Sequence, residues 1–186
     1  VIYNGYDASK WKLKKKVQNT FITIGANLNT RYAFKLKGID LIIELAKNIP
    51  HGTFYIVGGK SLKRAVPDNI KLLDNIPNTE LPNLLSDKQF YLQLSMSEGF
   101  PNALCEAMLC GCIPIVSSTG GMPMIVNDCG IILKNKSIIE LTQLVTNLMV
   151  NQERIDNLSL QSRKRIEENF TIKHRAKELI TLVREL

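Results

Sequence analysis

The chain has 186 residues, of which 45% are hydrophobic and 22% are charged, and its formal net charge is +7. This composition is typical of one globular domain and argues against a disordered chain. No apolar run approaches the roughly 18 residues that span a bilayer, and the first residues lack the charged and then apolar pattern of a signal peptide. We therefore expect a single cytoplasmic domain over residues 1–186, whether complete or cut from a longer protein.

The basic residues are concentrated near the N-terminus. Residues 1–40 contain eight lysines and arginines against two aspartates, which gives this part a net charge of +6. Trp11 lies within a lysine cluster that consists of Lys12, Lys14, Lys15 and Lys16. Such a cluster either contacts an anionic membrane surface or belongs to a solvated linker, and we favour a linker over residues 1–19. Nucleic acid is not an expected partner, because the sequence has no basic motif interleaved with aromatic residues.

The cysteines and histidines predict no metal site. The four cysteines are Cys105, Cys110, Cys112 and Cys129. They lack the C-x2-C pairs of a zinc site or of a secreted disulfide framework, so we expect reduced, buried thiols. His51 and His174 lie among neither acids nor cysteines at ligand spacing, so we assign them no chemistry.

Strand and helix patterns alternate along the chain. Short apolar runs predict strands over residues 1–7, 20–25, 53–57, 70–73, 90–94, 113–116 and 131–133. Apolar residues at helical spacing predict one helix directly after Pro101 and others over residues 39–47, 79–86, 137–150, 152–169 and 173–185. The polar segment 26–38 is predicted to be a loop. This alternation predicts an α/β, Rossmann-like fold with a parallel sheet flanked by helices.

Glycine-bearing turns follow four of the predicted strands. They contain Gly25, Gly58 and Gly59, Gly99, and Gly120 and Gly121. In a parallel sheet the ligand lies beyond the carboxyl ends of the strands, so these turns predict a binding edge. The sequence has neither a G-x-G-x-x-G motif nor a P-loop, which argues against a dinucleotide-binding fold and a P-loop enzyme.

The turn after the strand at 90–94 has the chemistry of an anion site. Gly99 lets the backbone approach a ligand, and Pro101 suits the first helical position. We therefore expect the amides of residues 99–103 to face a phosphate at the positive end of the helix dipole. Glu98 precedes these amides and Glu106 lies about one turn inside the helix, which separates the two carboxylates by roughly 10 Å. This separation exceeds that of a shared proton-transfer step and suits the two ends of one elongated ligand.

Glu98 and Glu106, with seven residues between them, resemble the E-x7-E signature of the retaining glycosyltransferases of family 4. The run from Gly111 to Val116 continues the resemblance. In that family the signature belongs to the nucleotide-sugar-binding domain, the C-terminal half of a two-domain GT-B enzyme. The resemblance implies transfer of a sugar from a nucleotide-diphosphate sugar to an acceptor with retention of configuration, and a role in polysaccharide biosynthesis at the inner face of the membrane is compatible with it.

The same resemblance implies roles for individual residues. Glu106 would bind the ribose, and Glu98 and Lys37 would be the catalytic residues, which bind the transferred sugar and the diphosphate. Further donor contacts are implied for Gly25, Arg31, Gly58, Asn75, Gly99, Phe100, Pro101, Asn102 and Ala103. The family needs no metal ion or other cofactor beyond its UDP- or GDP-linked donor. Its acceptor site lies on an N-terminal domain, which we expect to be absent from this chain, so we expect donor binding without efficient transfer.

Two positions depart from the family pattern. Asn27 stands where the family has an arginine for the diphosphate, and we expect Arg31, four residues further on, or Lys35 to take its place. Met124 stands where the family has a glutamate. These departures leave an alternative open, namely a non-catalytic α/β module that binds nucleotide sugars or another protein.

Overall fold

A computed structural model describes residues 2–184 and contains one sheet of six parallel strands. The strands are β1 (Val17–Ile24), β2 (Thr53–Val57), β3 (Ile70–Leu73), β4 (Lys88–Gln93), β5 (Ile113–Ser117) and β6 (Ile131–Leu133). The helices are α1 (Arg31–Leu36), α2 (Ile39–Asn48), α3 (Leu81–Leu85), α4 (Asn102–Leu109), α5 (Met122–Val126), α6 (Ile138–Met149), α7 (Gln152–Asn169) and α8 (Ile172–Arg184). The strand order β3-β2-β1-β4-β5-β6 has its switch point between β1 and β4, where doubly wound sheets bind their ligands. The predicted α/β, Rossmann-like fold is therefore confirmed.

The core is divided between the two faces of the sheet. On one face the ring of Phe21 stacks on Phe54 and Phe90 at centroid distances of 4.4 and 4.8 Å, and α2 and α6 pack against this cluster. On the other face the apolar side of α4 packs with α5 and α7. Every residue of β4 and β5 is buried, because helices cover both faces.

Most predicted boundaries agree with the structure to within a few residues. The Glu140 amide donates a hydrogen bond to the Ser137 hydroxyl at 3.2 Å, which confirms the predicted start of α6. Helix α8 begins at Ile172, and the predicted end of this helix at residue 185 lies outside the described residues.

The predicted N-terminal strand is wrong. Residues 2–7 join no strand of the sheet, and the Tyr6 amide instead donates to the Phe170 carbonyl at 2.8 Å. Residue 1, where this strand was predicted to begin, lies outside the described part of the chain. The two chain ends cross closely here, since a Cβ on Gly5 would lie 2.7 Å from the Cα of the first residue of α8. The glycine of the Asn-Gly dipeptide therefore allows this close backbone contact and does not mark the end of a strand.

The predicted loop over residues 26–38 is also wrong, because it contains helix α1. The Thr30 hydroxyl accepts a hydrogen bond from the Ala33 amide at 3.0 Å and so caps the helix. Phe34 is the one buried residue of α1. Six residues with a single buried side chain show too little periodicity to reveal a helix in the sequence.

The predicted linker over residues 1–19 is wrong at both its end and its character. Strand β1 already begins at Val17, and a short 3₁₀ turn spans Ala8–Lys10. Trp11 is only 6% exposed and belongs to the core beside α4. The segment is thus packed on the domain over much of its length.

Lys16 departs from the expected solvated lysine cluster. Its Nζ donates to the carbonyl oxygen of Ser86 at 2.9 Å and to that of Cys110. Burial of the ammonium lowers the pKa of Lys16. The other three lysines of the cluster, Lys12, Lys14 and Lys15, are exposed, as expected.

All four cysteines are free and buried, as predicted. Burial raises the pKa of Cys112 to about 11, so this thiol stays protonated and behaves as a small apolar group. Within residues 2–184, no helix combines the length and the apolar character that crossing a membrane requires.

The junction between α1 and α2 is held against the segment that follows β4. Gly38 has a left-handed φ of +67°, and a Cβ on it would lie 2.1 Å from the Leu94 carbonyl oxygen. The Met96 amide donates to the Leu36 carbonyl at 2.7 Å. These contacts place Lys37 beside the turn that follows Met96.

We expect Gly38→Ala to destabilise the fold by about 2 kcal/mol or more. A left-handed alanine costs roughly 1–2 kcal/mol by itself, and the added Cβ would also displace the Leu94 carbonyl. Gly99→Ala is the matched control, because a Cβ on Gly99 meets no atom within 4 Å. The measurement is the midpoint of urea unfolding, and equal midpoints for the two variants would contradict the packing described here.

Candidate functional site

The turns after β1, β2 and β3 come into contact around Gly58. This residue has a left-handed φ of +78°, and a Cβ on it would lie 2.0 Å from the Gly25 carbonyl oxygen and 2.9 Å from Asn75 Oδ1. Only glycine allows so close an approach. The structure therefore brings together Gly25, Gly58 and Asn75, three of the predicted donor-binding residues, at the carboxyl edge of the sheet.

The turns after β4 and β5 are in contact in the same way. Gly120 has a φ of +56°, and a Cβ on it would lie 1.8 Å from the Glu98 carbonyl oxygen. The Gly121 amide donates to the Gly99 carbonyl at 2.9 Å. Gly99 itself borders open space. The turn that carries Glu98 is thus supported by the turn after β5 and stays accessible at Gly99.

Helix α4 begins at Asn102, and Pro101 is its N-cap in an extended conformation. The expectation that Pro101 takes the first helical position is therefore wrong. Its ψ of 110° is extended, whereas a helical residue has a negative ψ. The N-cap makes no side-chain hydrogen bond to the first turn. The first-turn amides up to Ala103 therefore stay available as donors at the positive end of the helix dipole, and their contact with an anion stays a prediction.

Glu98 is held by two hydrogen-bond donors. Lys37 Nζ lies 2.7 Å from Glu98 Oε1, and Gln93 Nε2 lies 2.9 Å from the same oxygen. The Glu98 side chain is 12% exposed and that of Lys37 is 30% exposed. Partial burial of both charges reduces their screening by water. The structure thus brings together the two residues that were predicted to be catalytic.

Glu106 has a hydrogen-bond donor beside it, and the ion pairs found within residues 2–184 do not include it. Asn78 Nδ2 donates to Glu106 Oε1 at 3.1 Å. Burial raises the pKa of Glu106, and the hydrogen bond from Asn78 opposes this shift. A half-buried carboxylate is a strong acceptor for hydroxyl groups. In the described part of the chain, no three His, Cys, Asp or Glu residues group together where they could hold a metal ion.

The N-terminal segment contacts the start of α4 at Asn102, and helix α8 is joined to the same group through Asn4. Asn102 Oδ1 accepts hydrogen bonds from Asn4 Nδ2 at 2.8 Å and from the Tyr6 hydroxyl at 2.7 Å. An Arg175 guanidinium nitrogen donates to Asn4 Oδ1 at 2.9 Å, which ties α8 to the same group. Asn102 was predicted to contact the donor, and in the structure its side chain also holds the N-terminal segment.

The Phe100 ring belongs to an aromatic cluster with the chain ends. It stacks on Tyr3 at a centroid distance of 5.3 Å and packs against Phe170 at 5.5 Å. The ring thus anchors the turn. Phe100 can contribute to an anion site through its backbone amide.

The structure does not bring Arg31 or Lys35 into the hydrogen-bonded group around Glu98. Arg31 is the first residue of α1, and Lys37 follows the other end of this helix, which puts them about 9 Å apart along its axis. Arg31 and Lys35 are exposed and line a surface groove with Tyr32. That Arg31 replaces the family arginine absent at Asn27 therefore stays a prediction.

Sequence reasoning missed several side chains that hydrogen-bond to the predicted site residues. These are Asn4, Tyr6, Asn78 and Gln93. Gln93 carried a signal, because it is the one polar residue of the predicted strand over residues 90–94. Asn78 and Asn4 lie 28 and 98 positions from their partners, so no local pattern could reveal them.

Comparison with known sequences identifies a family. Over residues 8–169 the chain matches the family described as glycosyl transferases group 1. A phosphatidylinositol N-acetylglucosaminyltransferase subunit from Homo sapiens is 31% identical over 121 residues, which cover 58% of this chain and 25% of the human protein. The Arabidopsis thaliana protein of the same name is 26% identical over 111 residues, or 52% of this chain and 25% of the plant protein. The matched region spans about a quarter of the length of these relatives.

Comparison with solved structures identifies the same fold. Anabaena HepE in complex with UDP-glucose has a TM-score of 0.82 and 17% identity, covering 100% of this chain and 57% of HepE. Sucrose-phosphate synthase from Thermosynechococcus elongatus has a TM-score of 0.83 and 18% identity, covering 99% of this chain and 51% of the synthase. This chain therefore spans about half of each of these proteins.

These likenesses confirm the predicted Rossmann-like fold, which the chain shares with about half of each of these two proteins. They agree with the E-x7-E resemblance of Glu98 and Glu106, which the structure places at the carboxyl edge of the sheet. Because the family match extends over residues 8–169, the chain belongs to the glycosyl transferases group 1 family.

Proposed function

We propose that this chain is the donor-binding domain of a metal-independent, retaining glycosyltransferase of family 4. The observation that carries this proposal is the ion pair between Lys37 and Glu98, which lies beside the uncapped first turn of α4. The edge of the sheet thereby holds a cation and free amides for a diphosphate next to a carboxylate for a sugar.

The diphosphate binds at the first-turn amides of α4 and at Lys37. Before the donor arrives, Glu98 neutralises Lys37 and keeps its ammonium at this edge. As the glycosidic bond breaks, negative charge grows on the leaving phosphate. Amide dipoles and an ammonium that are already in place stabilise this charge and lower the barrier.

The remaining parts of the donor bind on either side of the diphosphate. Glu106 accepts hydrogen bonds from the ribose hydroxyls, and Glu98 accepts them from the transferred sugar. Gly25, Gly58 and Asn75 lie at the base end, where the absence of a Cβ on Gly58 lets the turns close around a nucleobase.

UDP-N-acetylglucosamine is the donor that we propose to test first. The human and plant relatives are named as N-acetylglucosaminyltransferases, which supports the choice of sugar. HepE binds UDP-glucose in its crystal structure, which supports the choice of base. GDP-linked sugars are the alternative donors.

The proposed partner of this domain is a second, N-terminal domain of the same enzyme, which would supply the acceptor site. Helix α8 buries none of its residues. It nevertheless exposes five large apolar side chains, on Ile172, Leu179, Ile180, Leu182 and Val183. Such a surface is typical of an interaction site.

Because the acceptor site would lie on the second domain, we expect the isolated chain to bind donor without efficient transfer. Transfer to added acceptors by this chain alone would contradict that expectation.

We further propose a cytoplasmic location with peripheral contact to the inner face of the membrane. The exposed side chains of Lys12, Lys14 and Lys15 support this contact, since clustered lysines are attracted to anionic lipids. Lys16 does not contribute, because its ammonium is held by two backbone carbonyls.

A non-catalytic nucleotide-sugar sensor is the second candidate function. It is favoured by the exposed Asn27 at the position of the family arginine and by the location of Arg31 at the far end of α1. Slow hydrolysis of the donor by the longer protein would exclude a sensor, whereas donor binding without any turnover would support one.

Ligand-induced stabilisation tests the proposed donor site. A ligand that binds only the folded state adds about 2.7 kcal/mol at a concentration of 100 Kd, which corresponds to a rise in Tm of roughly 5–10 °C for a domain of this size. We expect a rise of this order for one member of a panel of UDP, GDP, ADP and their sugars. Glu106→Ala should abolish it, because the ribose loses its acceptor.

The control for this experiment is Glu44→Ala, which removes an exposed carboxylate of α2 that pairs with Lys47. This variant should keep the full ligand-induced rise in Tm. A wild-type chain that responds to no nucleotide, or a Glu106→Ala variant that responds as the wild type does, would contradict the proposed donor site.

The charge of Glu106 should make the stability of the domain depend on pH. Because burial raises the pKa of Glu106, the charged form opposes folding, and stability that is fully present below the pKa of the unfolded state is lost as the pH rises through the pKa of Glu106 in the folded state. Glu106→Gln keeps the acceptor for Asn78 and removes the charge. At pH 7 we expect the unliganded variant to have a higher Tm than the wild type, with weaker nucleotide binding.

The matching measurement is a series of thermal unfolding curves between pH 4 and pH 8. The stability difference between Glu106→Gln and the wild type should shrink as the pH falls, because the wild-type carboxyl becomes protonated. A difference that does not depend on pH would contradict the role of burial at this carboxyl.

A further inference from the structure

Strand β4 carries a chain of polar side chains into the interior of the domain. Gln93 is 5% exposed and Tyr91 is 0% exposed, and both lie on the face of the sheet that packs against α4 and α7. The Tyr91 hydroxyl lies 2.9 Å from Gln93 Oε1, and Gln93 Nε2 lies 2.9 Å from Glu98 Oε1. A buried strand is an unusual place for such a row, since each polar group there must find a partner.

The direction of the hydrogen bonds follows from the carboxylate. Only the nitrogen of the Gln93 amide can donate to Glu98, so the amide oxygen must face Tyr91 and accept from its hydroxyl. Burial raises the pKa of Tyr91 well above its ordinary value, so this hydroxyl keeps the proton that it donates. Tyr91 therefore fixes the orientation of the amide that faces Glu98.

Neighbouring polar groups complete the network. Gln93 Nε2 also lies 3.3 Å from the Ser95 hydroxyl. The Ser117 hydroxyl, on the adjacent strand β5, donates to the Ser95 carbonyl oxygen. A buried polar network with its members satisfied is rigid and specifies one arrangement.

We propose that Gln93, oriented by Tyr91, is a positioning residue that holds the Glu98 carboxylate for the sugar of the donor. This inference rests on the proposed function and adds to it a residue that acts through Glu98 without contacting the substrate.

Glu98 needs a second hydrogen-bond donor because Lys37 is proposed to bind both Glu98 and the diphosphate. In the unliganded site its ammonium pairs with Glu98, but a diphosphate at the start of α4 competes for the same ammonium. When Lys37 turns to the phosphate, Glu98 Oε1 keeps its bond to Gln93. The carboxylate then stays in place, with its remaining lone pairs directed to the sugar hydroxyls.

The two donors also differ in stiffness. Lys37 lies between two helices, and its long side chain is 30% exposed. Gln93 lies on a strand whose residues are all buried. Loss of the Lys37 contact therefore changes the charge around Glu98, and loss of the Gln93 contact changes its position.

The test compares two ligands that differ only in the sugar. Calorimetric Kd values for UDP and UDP-N-acetylglucosamine are measured with the wild-type chain, Gln93→Leu and Tyr91→Phe. We expect Gln93→Leu to weaken UDP-N-acetylglucosamine binding about tenfold, because a hydrogen bond to a charged group is lost, and to leave UDP binding unchanged. Tyr91→Phe, which removes one hydroxyl, should weaken the same ligand by less.

Gln89→Leu is the matched control. Gln89 is a buried glutamine of the same strand, 2% exposed, and its Oε1 accepts from the Asn19 amide at 2.8 Å, at the end of β4 remote from Glu98. Its replacement removes an equivalent buried amide, so it should lower Tm as Gln93→Leu does, without changing either Kd. If Gln93→Leu does not fold, the Kd values of Tyr91→Phe for the two ligands, compared with those of the wild type, test the positioning role instead.

Equal losses for UDP and UDP-N-acetylglucosamine would show a merely structural role and would overturn the inference, as would unchanged binding of both ligands. These outcomes leave the proposed function intact. A wild-type chain that binds neither ligand would instead contradict the proposed donor site itself, and the positioning role with it.

Discussion

Direct contact between backbone atoms of neighbouring turns determines where the candidate site residues lie. At three points, the carboxyl edge of the sheet has room for a hydrogen but not for a Cβ: at Gly38 against Leu94, at Gly58 against Gly25 and at Gly120 against Glu98. Each of these contacts joins turns from different strands. The turns therefore form one continuous surface of amides and carbonyls, and a ligand on it meets backbone groups whose positions are fixed before it binds.

The features that the sequence predicted correctly are local ones. Strand β5 and residues 90–92 of strand β4 are apolar runs, and α6 begins at a local cap in which the Ser137 hydroxyl accepts from the Glu140 amide. The E-x7-E spacing likewise needs only one turn and one helix. Helix α1 and the course of residues 2–7 depend instead on contacts with distant segments. Lys37 is near Glu98 because Gly38 packs on Leu94, and no spacing within the sequence expresses that contact.

The two carboxylates of the signature lie in different electrostatic surroundings, and the difference suits their proposed roles. Glu98 has a lysine at 2.7 Å, so the charge next to the diphosphate position is already compensated. Glu106 accepts from the amide of Asn78 and takes part in none of the ion pairs found within residues 2–184, and its pKa is raised by burial. A carboxylate without a cation keeps its accepting strength for hydroxyl groups, at a cost in folding stability. Such a cost is common where a site must bind a ligand that arrives later.

The start of α4 also links the donor site to the exposed surface of α8. Asn102 accepts hydrogen bonds from Asn4 and Tyr6, and Asn4 in turn accepts one from Arg175 of α8. The Phe100 ring packs against Tyr3 and Phe170 in the same region. The amides proposed to hold the diphosphate are therefore two hydrogen bonds away from a helix whose apolar side chains are exposed. Asn4 thereby joins Arg175 of α8 to Asn102, while the second hydrogen bond to Asn102, from Tyr6, does not involve α8.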